Sequence, residues 1–308
     1  MKTLLVAADS ESEFWAEKIR AAMPGRDVLT SAPGGEAPVA YAVVDHPLAG
    51  LLRRLAGLEV VLSLNAGVEH LLAGDEVPDG VPIVRMADDG MREGMIEWVT
   101  AHVLAWHRHL FAYRAAQMER RWVQAPEALA RERTVTVLGA GALGAPVAAM
   151  LAALGFETRA WSRARRDIAG VKTFAGPSEF GAALQGADIL VSLLPSTAET
   201  ENLLDGAAFA QLSRGAFVVN AGRGRQLADA DLIAALDAGH LGGAALDVFR
   251  EEPLPADHPF WTHPAILVSP HVAAPTQPRT AVAALVETIR RHEHGEPLLH
   301  VVDRRLGY

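Results

Sequence analysis

The chain has 308 residues, half of them apolar, a formal net charge of −9 and no cysteine. That length suits one large or two medium domains with a substantial core, and the acidic balance without a dominant basic tract speaks against a nucleic-acid partner, which would need a positive face. The missing cysteines exclude disulfides, thiol nucleophiles and Cys-ligated zinc, and fit a reducing, cytoplasmic setting.

The opening MKTLLVAADS has an apolar part too short for a signal peptide and soon meets Asp9, Glu11 and Glu13. It reads as a first strand, Leu4–Ala7. No stretch reaches the roughly 18 apolar residues of a membrane helix, so no membrane partner is expected. Strands follow at Tyr41–Val44, Val60–Leu64 and Ile83–Val84, with helices at Phe14–Met23 and Leu48–Ala56. Pro33-Gly34-Gly35 and Pro78-Asp79-Gly80 punctuate the joins. This is already an α/β pattern.

From Met91 to Arg121 the periodicity turns helical, with Trp98, His102, Ala105 and His109 at helix spacing. One long helix is expected, with Met95 and Glu97 at its head facing a ligand cleft. From Thr134 strands alternate with helices: Val135–Leu138, Phe156–Trp161, Ile189–Leu193, Phe217–Asn220, Gly243–Leu246 and Ile266–Ser269. Six such strands suit a doubly wound parallel sheet. A last helix, Arg279–Glu293, is expected to return to the N-terminal part.

The most informative stretch is Thr134 to Arg166. The first strand of the second half runs into GAGALG, with Gly139, Gly141 and Gly144 at GxGxxG spacing, and an Ala-rich helical segment follows. Between a strand and a helix, that spacing lets backbone approach a pyrophosphate at a helix N-terminus. Gly139 to Gly144, including Ala140, Ala142 and Leu143, therefore form a candidate dinucleotide loop. The second strand ends at Trp161-Ser162-Arg163, followed by Arg165 and Arg166, where NAD-preferring proteins carry a carboxylate for the ribose 2′-hydroxyl. A hydroxyl and guanidinium groups bind a 2′-phosphate by charge-assisted hydrogen bonds. NADP(H) is expected over NAD(H); the alternative is a solvated basic turn.

Three polar residues fall at the C-terminal ends of later strands, where ligands gather in open α/β sheets. They are Arg223 in NAGRG, Glu252 in LDVFREEPLP and His271 in SPHVAA. Each also has a plain structural reading: Arg223 as a helix cap or partner of Asp229, Glu252 as an exposed loop acid, and His271 as one more of 12 histidines.

GAGALG, NAGRG, LDVFREEPLP and SPHVAA, in that order, resemble the D-isomer-specific 2-hydroxyacid dehydrogenases. The resemblance covers nearly the whole chain, including NAGVEHLL (Asn65–Leu72) and the ending VDRRLGY. Among subgroups the chain is most similar to the bacterial glyoxylate/hydroxypyruvate reductase A type, through WSRARR, GMREGMIEWV and LLPSTAET. It implies two Rossmann-like lobes. Residues 98–278 would be the NAD(P)-binding Rossmann domain. Residues 1–97 plus 279–308 would be a smaller, flavodoxin-like, discontinuous substrate domain, with the cleft between the lobes.

The resemblance also implies roles. Arg223 would clamp the substrate carboxylate and polarise its 2-oxo group; a planar guanidinium suits a carboxylate. His271 would give a proton to the carbonyl oxygen as hydride arrives, and Glu252, the acid directly before Pro253, would hold the imidazole and raise its pKa. Ala66 and Gly67 would offer backbone N–H groups to the substrate, with Arg223 and His271. Leu194, Pro195, Ser196 and Thr200 would border the adenosine or ribose. Ala221, Gly222, Arg223, Asp247 and His271 would complete the dinucleotide contacts, Asp247 beside the nicotinamide amide.

Asp45-His46-Pro47 is expected near the substrate, and Asp45 departs from the bulkier aromatic usual in the subgroup. Arg92 reads as a solvated helix start. No metal site is expected: His107 with His109, and His292 with His294, are splayed by helical spacing. Trp15, Trp98, Trp106, Trp122 and Trp261 read as core or interface anchors. The resemblance implies a homodimer.

The favoured reading is an NADPH-dependent reductase of small 2-oxoacids, glyoxylate to glycolate and hydroxypyruvate to D-glycerate. Alternatives are a reductase of a bulkier acid such as a phenylpyruvate, admitted by Asp45, and a non-catalytic dinucleotide sensor on the same fold. A sensor has no need of a proton donor, its carboxylate partner and an anion clamp together.

Overall fold

A computed structural model describes residues 2–33, 38–46, 50–74 and 76–308. Gly34, Gly35, Pro47 and the first residues of the helix expected at Leu48–Ala56 lie outside the described residues. The chain divides into two compact units, Met1–Met91 with Thr276–Tyr308, and Arg92–Pro275.

The first unit runs β1 (Leu4–Ala7), α1 (Ser12–Ala22), β2 (Val28–Leu29), β3 (Tyr41–Val44), α2 (Leu51–Arg54), β4 (Val60–Ser63), α3 (Glu69–Leu72) and β5 (Ile83–Val84). The strands form a parallel sheet in the order β2-β1-β3-β4-β5. This is the flavodoxin-like order. β1, β3 and β4 are buried along their whole length, as parallel strands covered on both faces must be. β2 escapes the sequence reading because two residues carry no periodicity.

The second unit begins within α4 (Asp89–His107), followed by α5 (Leu110–Met118). One continuous helix was expected; the chain breaks at His109, whose φ is +58°. Nothing in the local sequence marks this, because the cause is tertiary. The rings of Trp106 and Phe111 both pack on Phe217, with centroids 5.6 and 6.0 Å away. In an unbroken helix those two side chains would point roughly 140° apart.

The seven-stranded sheet of this unit is built from β6 (Thr134–Leu138), α6 (Gly144–Ala153), β7 (Glu157–Ser162), β8 (Lys172–Ala175), α7 (Phe180–Leu184), β9 (Ile189–Ser192), α8 (Gly206–Phe209), β10 (Ala216–Asn220), α9 (Asp229–Asp237), β11 (Leu241–Leu246) and β12 (Ile266–Val268). Its order is β12-β11-β10-β9-β6-β7-β8, parallel throughout. Six strands were expected. β8 is the addition: an edge strand in which only Phe174 is buried gives no apolar run to detect. Val135 and Val137 turn to one face with Val147, Leu151 and Val103, while Leu138, Leu190 and Val218 turn to the other with Phe209 and Leu232. Met95, expected to face a cleft, lies in the first of these cores at 5 % exposure.

The last helix, α10 (Pro278–Glu293), starts on Pro278 and buries Ala281, Val282, Leu285, Val286 and Ile289 along one stripe. It belongs to the first unit, where it packs on α1. Among the described residues no helix is long and apolar enough to cross a membrane.

Candidate active site

The glycine loop between β6 and α6 is shaped by three different constraints. Gly139 has φ +97°, and a Cβ there would lie 2.6 Å from the Leu193 carbonyl oxygen. At Gly144 a Cβ would lie 1.8 Å from the Gly139 oxygen, so this glycine lets α6 start directly against the strand. Gly141 differs: a Cβ built on it meets nothing within 4 Å. No side-chain hydrogen bond caps the start of α6. The loop thus presents backbone to open space at an uncapped helix N-terminus, which fits the pyrophosphate of a dinucleotide.

Ser162 and Arg163 stand at the end of β7. The Ser162 hydroxyl donates to Ala164 O at 2.7 Å. The charge of Arg163 reaches Glu199, after β9, and helps hold that carboxyl below its ordinary pKa, behind the backbone hydrogen bond at Glu199 itself and the one from Thr197. Arg165 is engaged differently from expectation. Its Nη2 donates to both Glu179 oxygens, at 2.6 and 2.8 Å, and its Nη1 to Thr173 O, so its charge is already met by a carboxylate. Trp161 is tied inward as well, its indole N–H donating to Gly176 O at 2.8 Å and its ring meeting Phe180 edge-on.

The Leu194–Thr200 segment after β9 is a knotted turn. Thr200 Oγ1 donates to Pro195 O at 2.8 Å and accepts from Thr197 N at 2.9 Å. Thr200 therefore shapes the segment from within.

Arg223, Glu252 and His271 follow β10, β11 and β12, at one edge of the sheet. Two small residues pack the Arg223 turn against its neighbours. A Cβ on Gly222 would lie 2.9 Å from Leu194 O, and one on Gly224 would lie 1.8 Å from the Phe249 carbonyl carbon. Phe249 N donates to Glu252 Oε1 at 2.8 Å, and His271 Nδ1 meets Glu252 Oε2 at 2.7 Å. The His271 backbone is left-handed, φ +55°, a conformation uncommon for histidine and frequent at functional sites.

The electrostatics follow from that pairing. The Glu252 hydrogen bond raises the His271 pKa; burial and Arg223 oppose this, and the charges of Glu252 and Asp247 assist it. Burial pushes Glu252 upward, but the hydrogen bonds from His271 and Phe249 N, with the charges of His271 and Arg223, outweigh it and hold the carboxyl below its ordinary value. The reading of Glu252 as a plain loop acid does not account for either bond. Asp229, the alternative partner considered for Arg223, sits 3.7 Å from both Arg250 and His258.

Asp247, 1 % exposed, does more shaping than expected. Its carboxylate accepts from Ser269 Oγ at 2.5 Å, Val272 N at 3.0 Å and Ala273 N at 2.9 Å, and its carbonyl accepts from His271 N. It moulds the turn that carries His271.

The family model for the D-isomer specific 2-hydroxyacid dehydrogenase NAD-binding domain matches residues 100–273. The chain belongs to the D-isomer specific 2-hydroxyacid dehydrogenase family. Members of this oxidoreductase family resemble it along its full length. It is 42 % identical over 303 residues to glyoxylate/hydroxypyruvate reductase A of Klebsiella pneumoniae (strain 342), covering 97 % of each chain. The structure of a D-isomer specific 2-hydroxyacid dehydrogenase of Xanthobacter autotrophicus Py2, in complex with NADPH and MES, is 40 % identical with TM-score 0.93 over 100 % of both chains. An NADPH-dependent glyoxylate/hydroxypyruvate reductase of Sinorhizobium meliloti, in complex with NADP and sulfate, is 38 % identical with TM-score 0.92, again over 100 % of both.

In the first unit, Ala66 and Gly67 follow β4, and Asp45 and His46 follow β3. Asn65 ties these two dehydrogenase segments together, its Nδ2 donating to Asp45 O and Oδ1, both at 2.8 Å, and His46 Nδ1 meets Asp45 Oδ2 at 2.8 Å. Pro47 lies outside the described residues. Among the described residues no group of three His, Asp or Glu side chains clusters to hold a metal.

Proposed function

We propose that this dehydrogenase reduces small 2-oxoacids with NADPH, glyoxylate to glycolate and hydroxypyruvate to D-glycerate. The observation that carries this reading is the 2.7 Å His271–Glu252 pair beside Arg223, at the sheet edge that also bears the glycine loop. Relatives named as glyoxylate/hydroxypyruvate reductases, and similar structures holding NADPH or NADP, support it.

Gly139 to Gly144 would hold the pyrophosphate, with Ala221 and Gly222 behind it and Leu194, Pro195 and Ser196 along the ribose and adenosine. Ser162 and Arg163 would hold the 2′-phosphate. NADPH, when bound, supplies the hydride. The planar fork of Arg223 grips the 2-oxoacid carboxylate and draws electron density toward the 2-oxo oxygen. With Nδ1 committed to Glu252, His271 gives the proton on Nε2 to that oxygen, and the imidazole is left neutral. Glu252 keeps the ring oriented and favours the charged, donating form. For the first unit, the Ala66-Gly67 backbone is the substrate contact that family membership suggests. The two units are assigned as substrate and cofactor domains on the same basis.

A homodimer in the cytoplasm is part of this proposal. Trp122 is 93 % exposed, next to the exposed Val123, and Met118 is 70 % exposed, which suits a subunit interface. Oxidation of NADPH and of NADH, followed separately over a panel of 2-oxoacids, tests the function. Activity with glyoxylate or hydroxypyruvate and NADPH supports it; oxidation of neither cofactor with any acid contradicts it.

A further inference from the structure

Gln226 lies directly beyond the Arg223 turn and is fully buried, at 0 % exposure. No sequence pattern singles it out, yet its amide is saturated. Nε2 donates to Leu194 O at 2.6 Å and to Pro195 O at 3.0 Å. Oε1 accepts from Ser192 Oγ at 2.9 Å and from Arg223 N at 3.3 Å. A primary amide has two N–H donors and two lone pairs, so each has a partner. The orientation is unambiguous, because a flipped amide would aim its oxygen at two carbonyl oxygens.

These partners belong to two different turns. Ser192, Leu194 and Pro195 end β9 and begin the segment assigned to the ribose and adenosine; Arg223 follows β10. The turns touch where Gly222 leaves no room for a side chain: a Cβ there would lie 2.7 Å from Gln226 Oε1 and 3.0 Å from Leu194 N. The Gln226 backbone joins the same arrangement, its carbonyl accepting from Leu204 N and its N–H donating to Arg223 O. Buried amides of this kind fix geometry strongly, since every partner released would be left unsatisfied.

We propose that Gln226 is a positioning residue that locks the Leu194–Pro195 turn to the Arg223 turn, so that one buried amide sets both the dinucleotide site and the carboxylate clamp. The inference rests on the proposed roles of those two turns. It states something those roles do not: perturbing Gln226 alters affinity for cofactor and for 2-oxoacid together, although its side chain contacts neither.

The test uses the full chain with Gln226→Glu and Gln226→Met. The first keeps the acceptor oxygens but sets a carboxylate against two carbonyls; the second removes all polar contacts at similar volume. NADPH affinity is read by fluorescence titration, and KM for glyoxylate and kcat by NADPH oxidation. A rise of about tenfold in both the NADPH Kd and the glyoxylate KM is expected. Thr136→Val is the control. It deletes another buried hydrogen bond of this sheet, to Ala183 O at 2.7 Å, and is expected to lower Tm while leaving both constants alone. If the Gln226 variants do not fold, Ser192→Ala, which removes one partner of Oε1, is expected to raise both constants severalfold. A lowered Tm with both constants unchanged, or a change in only one of them, overturns the inference, as does an equal change in the control. Failure of the functional reading is distinct: the wild-type chain would then oxidise no NADPH with 2-oxoacids, while the NADPH titration would still report on the Leu194–Pro195 turn.

Discussion

His271 Nδ1 and Glu252 Oε2 lie 2.7 Å apart, and Glu252 Oε1 simultaneously accepts the Phe249 N–H at 2.8 Å. One carboxylate thus anchors the imidazole to the turn after β11 and biases it toward the charged form. The His271 pKa stands above its ordinary value of 6.5. The proposed reduction needs the protonated imidazole, so kcat/KM is expected to hold through neutral pH and to fall as pH rises through that raised value. Glu252→Gln removes the carboxylate charge. The alkaline limb of the kcat/KM profile should then move to lower pH, with a drop in kcat. An unmoved limb would show that the pair does not tune the donor.

The glycines of the loop separate fold from ligand. Gly144→Ala forces a carbon to 1.8 Å from the Gly139 oxygen, so a loss of at least about 1–3 kcal/mol is expected. Gly141→Ala adds a methyl group where nothing lies within 4 Å. Its Tm should stay near that of the wild type while NADPH affinity falls at least about tenfold. Thermal melts and fluorescence titrations of the two variants check this.

Arg163 and Arg165 should not be equivalent. Arg165 Nη2 is held by both Glu179 oxygens. Arg163→Ala, which removes the guanidinium directly after β7, is expected to raise KM for NADPH by about tenfold or more and leave KM for NADH nearly unchanged. Arg165→Ala should have the smaller effect on this ratio. Equal effects on the two cofactors for Arg163→Ala would remove it from the phosphate site.

His107 gives a stability prediction away from the site. It is 5 % exposed, and its Nδ1 has no hydrogen-bond partner among the described residues. Burial, with Arg133, Arg108 and His109 nearby, lowers its pKa below the ordinary 6.5; Glu127 opposes weakly. The folded state prefers the neutral ring and the unfolded state binds the proton more readily. This contribution is complete above 6.5 and is lost as pH falls through the folded-state value. His107→Leu should flatten the acid side of a Tm-versus-pH curve; an unchanged slope would contradict the assignment.

The strands that position the chemistry could be read from residues, because buried parallel strands such as Val135–Leu138 are continuous apolar runs. The glycine loop and the three strand-edge residues stood out for the same reason, as polar or small groups directly after such runs. Short edge elements like β8 did not, and neither did the break at His109, which answers to Phe217, distant in sequence. Gln226 was silent because a buried amide looks like any surface glutamine until the carbonyls around it are known. Asp247 and Thr200 were expected as site residues, but what they bond is the turn itself, which no sequence pattern shows.

In the proposed reaction a protonated His271, held by Glu252, completes the reduction of a 2-oxoacid bound by Arg223. NADPH oxidation with glyoxylate by the wild-type chain and His271→Gln, alongside NADPH titrations of both, tests this step. The variant is expected to bind NADPH as the wild type does and to lose at least about a hundredfold in kcat. Retained turnover in His271→Gln, with NADPH binding intact, would contradict it.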